Sequence, residues 1–508
     1  MVSSFCWSCL TRLPTAPRAI LPPTLTAQRV AAFHSSTPLL AGAKKKGDLP
    51  VAKYRQAKSA KMKKKKPVER TRPPAVGERR ALRKRIVLSN PNALEVEGLQ
   101  DLSAENMVDA RLRGSILGLP VPMLDQLRAV QAFKPKQGWS IFRRPGTVVR
   151  RETLELGRLI DGISAEEGEN KGRVVRKVIT GVKGSGKSVY MLQAMSMAFT
   201  KEWVVITVPE ASSAQDLVIA NTSYAPLSDE NPNVYVQNDA TAALLSRTVT
   251  ANQKVLSKLT VSQPHPALKT AVKPGMTLEA LAKPGIQDPA VAWNVFQALW
   301  TELTATAPAA GFEKGFKPRP PMLVTLDNMA HWMKETKYNN IDCKPIHAHD
   351  LVFVQHFLSL LKPSSEAGKP SLPNGGIVLY ATSGSNSPTI YGFEIALQQL
   401  AARQAGVKPS SPEFPQPDPY LNADKRVLAV FNDSASTKSP VPKDGSLELQ
   451  TIGGLTRDEA KGFMEYFARS GLLRENITDA WVGEKWSLAG GGVIGELEKL
   501  GRRLRVIA

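Results

Sequence analysis

The chain has 508 residues, with 67 Lys and Arg against 45 Asp and Glu, a net charge of +22, and 42% hydrophobic residues. A chain of this length makes about two to four structural units with ample material for a core. Its three cysteines exclude a disulfide scaffold, and its apolar runs stay short of the ~18 residues that a membrane-spanning helix needs.

The charge is uneven. Residues 1–86 hold 21 basic and three acidic residues, so +18 lies there and only +4 remains for residues 87–508. Residues 1–42 read as a mitochondrial transit peptide: Arg12, Arg18 and Arg29 are spaced through Ser, Thr, Ala and Leu, and no acid precedes Asp48. Pro14, Pro17, Pro22 and Pro23 break the apolar stretch that a secretory signal requires. Cleavage near Arg29–Ser36 would start the mature protein between residues 30 and 45, in the mitochondrial matrix.

Residues 43–150 form a basic extension and connector. Lys44, Lys45 and Lys46, then Lys63, Lys64, Lys65 and Lys66, then Arg83, Lys84 and Arg85 lie in a stretch with too few large apolar residues to fold alone. Such an arm is either a solvated tail or a strand of charge laid along a polyanion. RNA or DNA is the favoured partner, because each neutralised phosphate releases counterions. Nothing amphipathic in residues 43–86 supports a membrane. A second cluster, Phe133-Lys134-Pro135-Lys136-Gln137-Gly138-Trp139 followed by Phe142-Arg143-Arg144, would either stack on bases or pin the connector to the body.

Residues 151–445 carry the nucleotide motif. Gly181-Val182-Lys183-Gly184-Ser185-Gly186-Lys187-Ser188 fits G-x-x-x-x-G-K-[ST] at every fixed position, between the β-branched run Val174–Thr180 and a helix-compatible run over 188–199. The glycines let backbone amides wrap phosphates, and the helix N-terminus adds positive potential. Lys187 is placed to reach the β- and γ-phosphates, and Ser188 to ligate Mg²⁺. A second metal carboxylate is expected at the end of another buried strand, and Met322-Leu323-Val324-Thr325-Leu326-Asp327 supplies Asp327. With Trp203–Val208, Gly376–Ser383 and Val427–Phe431, five short apolar runs predict an α/β fold with a parallel sheet. Its closest class is the additional-strand P-loop NTPases, which include AAA+ and signalling ATPases.

In that class a polar residue after the next strand senses the γ-phosphate, and Thr382 and Ser383 stand there. The residue after the metal acid is usually a water-activating Glu, but here it is Asn328, which cannot take a proton. The site therefore reads as one that holds a nucleotide more than it turns it over. The guanine-reading N-K-x-D signature is absent, so the residues alone leave ATP and GTP open. Cys343-x3-His347-x-His349 lacks the four convergent ligands of a structural zinc site. A helix is expected over 291–303, with Trp293, Phe296, Leu299 and Trp300 on one side. Residues 446–508 read as a small, mainly helical lid, opened by the capping box Thr456-Arg457-Asp458-Glu459 and stopped at Gly471.

Together these features are similar to the GTP-binding death-associated protein 3 family of the mitochondrial small ribosomal subunit. The residues that carry the resemblance are Gly181–Ser188, Trp203–Glu210 with its Val-Pro-Glu exit, Leu323–Asp327 and Phe133–Trp139. It covers roughly residues 120–508. The resemblance implies a protein in the head of the small subunit, touching small-subunit ribosomal RNA and neighbouring ribosomal proteins, with GTP or GDP and Mg²⁺ bound. Asn328 limits it to slow turnover at most. The competing expectation is a free matrix AAA+-like NTPase acting on nucleic acid or protein.

Overall fold

Five strands make one parallel sheet: β1 (Val174–Thr180), β2 (Val204–Val208), β3 (Met322–Asp327), β4 (Gly376–Ala381) and β5 (Leu447–Thr451). Their order across the sheet is β5-β1-β4-β3-β2, every pair parallel. β2, β3 and β4 are buried at every position, which is why their sequences are unbroken apolar runs without alternation. This computed structural model describes residues 86–503 apart from 136, 166–170, 211–216, 220, 229–230, 269–271, 314, 363–370 and 433–445.

Eleven of its helices are labelled here: α1 (Arg151–Ser164), α2 (Lys187–Thr200), α3 (Asn238–Ala251), α4 (Leu278–Gln287), α5 (Ala292–Leu303), α6 (Val352–Ser359), α7 (Tyr391–Gln404), α8 (Lys425–Asn432), α9 (Arg457–Arg469), α10 (Asp479–Leu488) and α11 (Ile494–Arg503). The expected helix over 291–303 is α5, with Trp293, Phe296 and Leu299 buried in one core with α3, α4 and α6. Among the described residues no helix is long and apolar enough to cross a membrane.

The fifth strand is not where the sequence suggests. Val427–Phe431 is helical, inside α8, because Val427 and Phe431 stand four residues apart on one face and are both fully buried. Leu447–Thr451 takes the sheet edge beside β1 instead. Its Glu448 and Gln450 are only partly buried, which hides it from a search for apolar runs. At the other edge, the Asn252 side chain closes β2: its carbonyl oxygen accepts from the Val205 amide and its NH₂ donates to the Val205 carbonyl oxygen, both at 2.8 Å. An otherwise open strand edge is thereby satisfied.

The connector is part of this body. Trp139 is buried edge-on against Phe133, with ring centroids 5.2 Å apart. Phe142 packs on Tyr466 and Phe467 at 4.9 and 5.0 Å. Of the two readings of these aromatics, the structure favours the pinning one: Phe133 and Trp139 are buried, and the partly buried Phe142 packs on the C-terminal core. The C-terminal helices α9–α11 close a separate small core of Phe463, Met464, Phe467 and Leu497. The Thr456–Glu459 capping box is formed at the start of α9, and Gly471 follows its end with φ +73°.

Candidate nucleotide site

The phosphate loop grows directly out of β1. Gly181, Gly184 and Gly186 have φ of +146°, +84° and +98°, conformations that favour glycine. A Cβ on Gly181 would lie 2.3 Å from the Ile452 carbonyl oxygen, so no larger residue fits there. Gly186 caps α2 and Lys187 opens it, aiming the positive end of the helix at the loop. Val182, Lys183 and Gly184 form the exposed tip. The Lys187 ammonium donates to the carbonyl oxygens of Gly181 (2.6 Å) and Val182 (3.0 Å), and burial holds its pKa below the ordinary lysine value. Among the described residues the buried Ser185 hydroxyl has no partner, a donor that fits a phosphate oxygen.

The loop is tied to the C-terminal helices. The Gly495 amide, at the start of α11, donates to the Gly184 carbonyl oxygen at 3.0 Å. Buried Arg150 donates to the carbonyl oxygens of Ser185 (2.8 Å) and Gly453 (2.9 Å), tying the loop to the segment after β5.

β3 ends on Asp327, beside Ala381 of β4, and Ser188 lies near enough to its carboxylate to favour the ionised form. A hydroxyl beside a carboxylate is a pair of hard oxygen donors that fits Mg²⁺. A metal held there would neutralise phosphate charge.

Two residues outside the sequence-derived set complete the site. Glu210 follows β2, which runs beside β3 with Val208 opposite Leu326, so the two strand ends bring Glu210 next to Asp327. Lys134, from the connector, places its ammonium 2.5 Å from Glu210 Oε2 and 2.5 Å from Asp327 Oδ2. Burial opposes charge on Lys134, yet the two carboxylates outweigh it and hold its pKa above the usual value. Burial also pushes Glu210 up, but Lys134, Ser383 and Asn328 pull it below the usual carboxylate range. At Asp327 burial prevails over the pull of Lys134 and raises its pKa.

Asn328 sits in the left-handed region at φ +69°, ψ +64°, which an Asn tolerates. Its amide donates to Glu210 Oε1 at 3.1 Å and to the Asn386 carbonyl oxygen at 2.7 Å. The carboxylate missing at position 328 is thus present in space, delivered from another strand and held by the Asn that replaces it. The two candidate sensors divide: Ser383 lies near enough to Glu210 to help lower its pKa, while Thr382 donates to the Ile179 carbonyl oxygen of β1 at 3.3 Å. Glu210 had a readable signal, an acid just past a fully buried strand. Lys134 had none, being 76 positions from Glu210. The transit peptide and the cationic candidates Lys44–Lys46, Lys63–Lys66 and Arg83–Arg85 lie outside the described residues.

Sheet order, phosphate loop and strand-end acid define a P-loop protein of the additional-strand class, its loop tied to a C-terminal helical unit. The sequence profile of the family described as mitochondrial ribosomal death-associated protein 3 matches residues 147–500. The chain is 38% identical over 507 residues, 98% of each chain, to the small ribosomal subunit protein mS29 of Neurospora crassa. It belongs to the mitochondrial ribosomal death-associated protein 3 family of small-subunit proteins, and its place is the mitochondrial ribosome. Among solved structures it is similar to the Walker-type ATPase of Pyrococcus abyssi, at 15% identity over 70% of this chain and 69% of that one, TM-score 0.32. It is also similar to Hsp104 with ATPγS and casein, at 12% identity over 69% and 42%, TM-score 0.24. Both likenesses are too distant to bear on the site.

Proposed function

We propose that this chain holds a guanine nucleotide with Mg²⁺ as a long-lived ligand inside the small subunit of the mitochondrial ribosome, while its cationic arm lies on ribosomal RNA. The observation that carries the nucleotide reading is the phosphate loop: glycine geometry, a helix N-terminus, and Lys187 and Ser188 beside Asp327. Lys187 would reach the β- and γ-phosphates, and Ser188 and Asp327 would hold the metal. Retention over turnover is supported by Asn328 and by the tethering of the loop through Arg150 and Gly495. The guanine base follows the family resemblance, and assembly into the small subunit follows the relative of that name.

Nucleotide extraction from purified small subunits tests this. GDP or GTP is expected in stoichiometric amount, with about tenfold or greater loss of affinity in Lys187→Ala. Recovered ATP would reassign the base, and particles without nucleotide would remove the reading. Glu210 favours a second reading of the same site, turnover on the ribosome, because it restores a carboxylate that Asn328 lacks. That reading requires multiple-turnover hydrolysis by the particle, lost in Glu210→Gln.

A further inference from the structure

Lys134 puts a second cation where the metal's carboxylate already lies. A structural staple gives each buried acid its own cation, whereas here Glu210 and Asp327 share a single ammonium. The Lys134 side chain is 27% exposed and those of the two acids 10% each, so the lysine is the more open side of the cluster. Its backbone is fixed: the Lys134 amide donates to Gln137 Oε1 at 2.8 Å, and the same oxygen accepts from Trp139 Nε1 at 2.5 Å. Phe133 and Trp139 are buried on either side. The movable part is therefore the head of a flexible four-carbon chain. An ammonium pairs with carboxylates but cannot coordinate phosphate oxygens, while a divalent metal does both. The two cations would therefore compete for the same two carboxylates.

We propose that Lys134 is a tethered cation that competes with the divalent metal for Asp327 and Glu210: metal entry expels the ammonium, and metal loss lets it return. The inference rests on the reading of Asp327 as a metal ligand. With the ammonium in place, the acid pair repels an incoming polyphosphate less than it would alone, so nucleotide binding depends less on the metal. The cost is a weakened metal affinity, set by the charge that must be displaced.

The experiment is Mn²⁺ binding by electron paramagnetic resonance on the full chain and its Lys134→Met variant. Removing a unit charge at this distance is expected to tighten Mn²⁺ binding about tenfold or more. Equal affinity in the two proteins overturns the proposal, and so does weaker binding in the variant, which would make the ammonium a support for the metal. Should the variant not fold, reductive methylation of the unmutated chain decides. Lys134 is expected to be protected in EDTA and several-fold more reactive in Mn²⁺; equal protection in both sinks the idea. A fluorescent GDP titration of the same samples keeps the two readings apart. Tighter Mn²⁺ binding without nucleotide binding retains the competition and removes the nucleotide, and the reverse pattern does the opposite.

Discussion

Two buried carboxylate clusters in this molecule use the same side-chain types for opposite ends. Glu302, at the end of α5, is fully buried and saturated: it accepts from the Ser262 amide and hydroxyl, the Gln263 amide, His265 Nε2 and Arg319 Nη2, all within 3.0 Å. Glu210 and Asp327 share one lysine, and both sit at the C-terminal edge of the sheet, where a parallel fold receives its ligand. The first cluster has one acid and donors to spare, so it has nothing left to bind. The second has two acids and one directly paired cation, with Lys187 near enough to act on both, so a single exchangeable ammonium serves two carboxylates. Saturation marks a structural tie, and deficit marks a site.

The largest effect expected from this comparison is on stability. Glu302→Ala strands Arg319, whose side chain is fully buried, and such breakage costs about 3–5 kcal/mol. Glu210→Ala leaves Lys134 paired with Asp327 and should cost about 1 kcal/mol or less. Urea unfolding of both variants measures the difference, and equal losses would break the distinction between tie and site.

Acid sharpens it further. Burial raises the Glu302 pKa, but hydrogen bonds from His265 and Ser262 prevail and hold it below its ordinary value of 4.5. A depressed folded pKa means that the folded state prefers the ionised form. The contribution is therefore complete above about pH 4.5 and is lost as pH falls through the lower folded value. Glu459 has the same sign: burial is outweighed by the Thr456 amide and by Arg113. Between pH 5 and pH 3 the wild type should lose stability steeply and Glu302→Gln much less, so that the two curves converge. Parallel curves would mean that Glu302 does not carry the acid sensitivity.

What was legible in the sequence follows from distance along the chain. The phosphate loop, its flanking strand and helix, α5 and the Thr456–Glu459 cap are local patterns and stand where they were expected. The real fifth strand escaped because an edge strand with half-exposed Glu448 and Gln450 has no apolar signature, while the helical Val427–Phe431 does. Glu210 escaped for another reason. Asn328 and Glu210 lie 118 positions apart, and only the pairing of β2 with β3 makes them neighbours. The contact of Gly495 with Gly184 is equally invisible until the C-terminal helices are placed. Motifs announce the half of a site that one loop supplies, and topology supplies the other.

The smallest expected effect is the control that separates burial from ion pairing. Arg426 Nη1 lies 3.0 Å from Asp350 Oδ2, close to the 2.7 Å of Arg319 with Glu302, but its side chain is 57% exposed and its partner's 34%. Water screens the pair, and two mobile side chains lose entropy to form it, so Arg426→Ala should cost about 0.2–1 kcal/mol. Adding salt should shrink that value, since an exposed pair is screened within about 10 Å at 0.1 M, while the Glu302→Ala loss should barely move. Nothing in the nucleotide site touches Arg426, so Mn²⁺ affinity should be unchanged in the same variant. A loss near that of Glu302→Ala, measured by urea unfolding at two salt concentrations, would show that pairing and not burial sets the energetic contrast between the clusters.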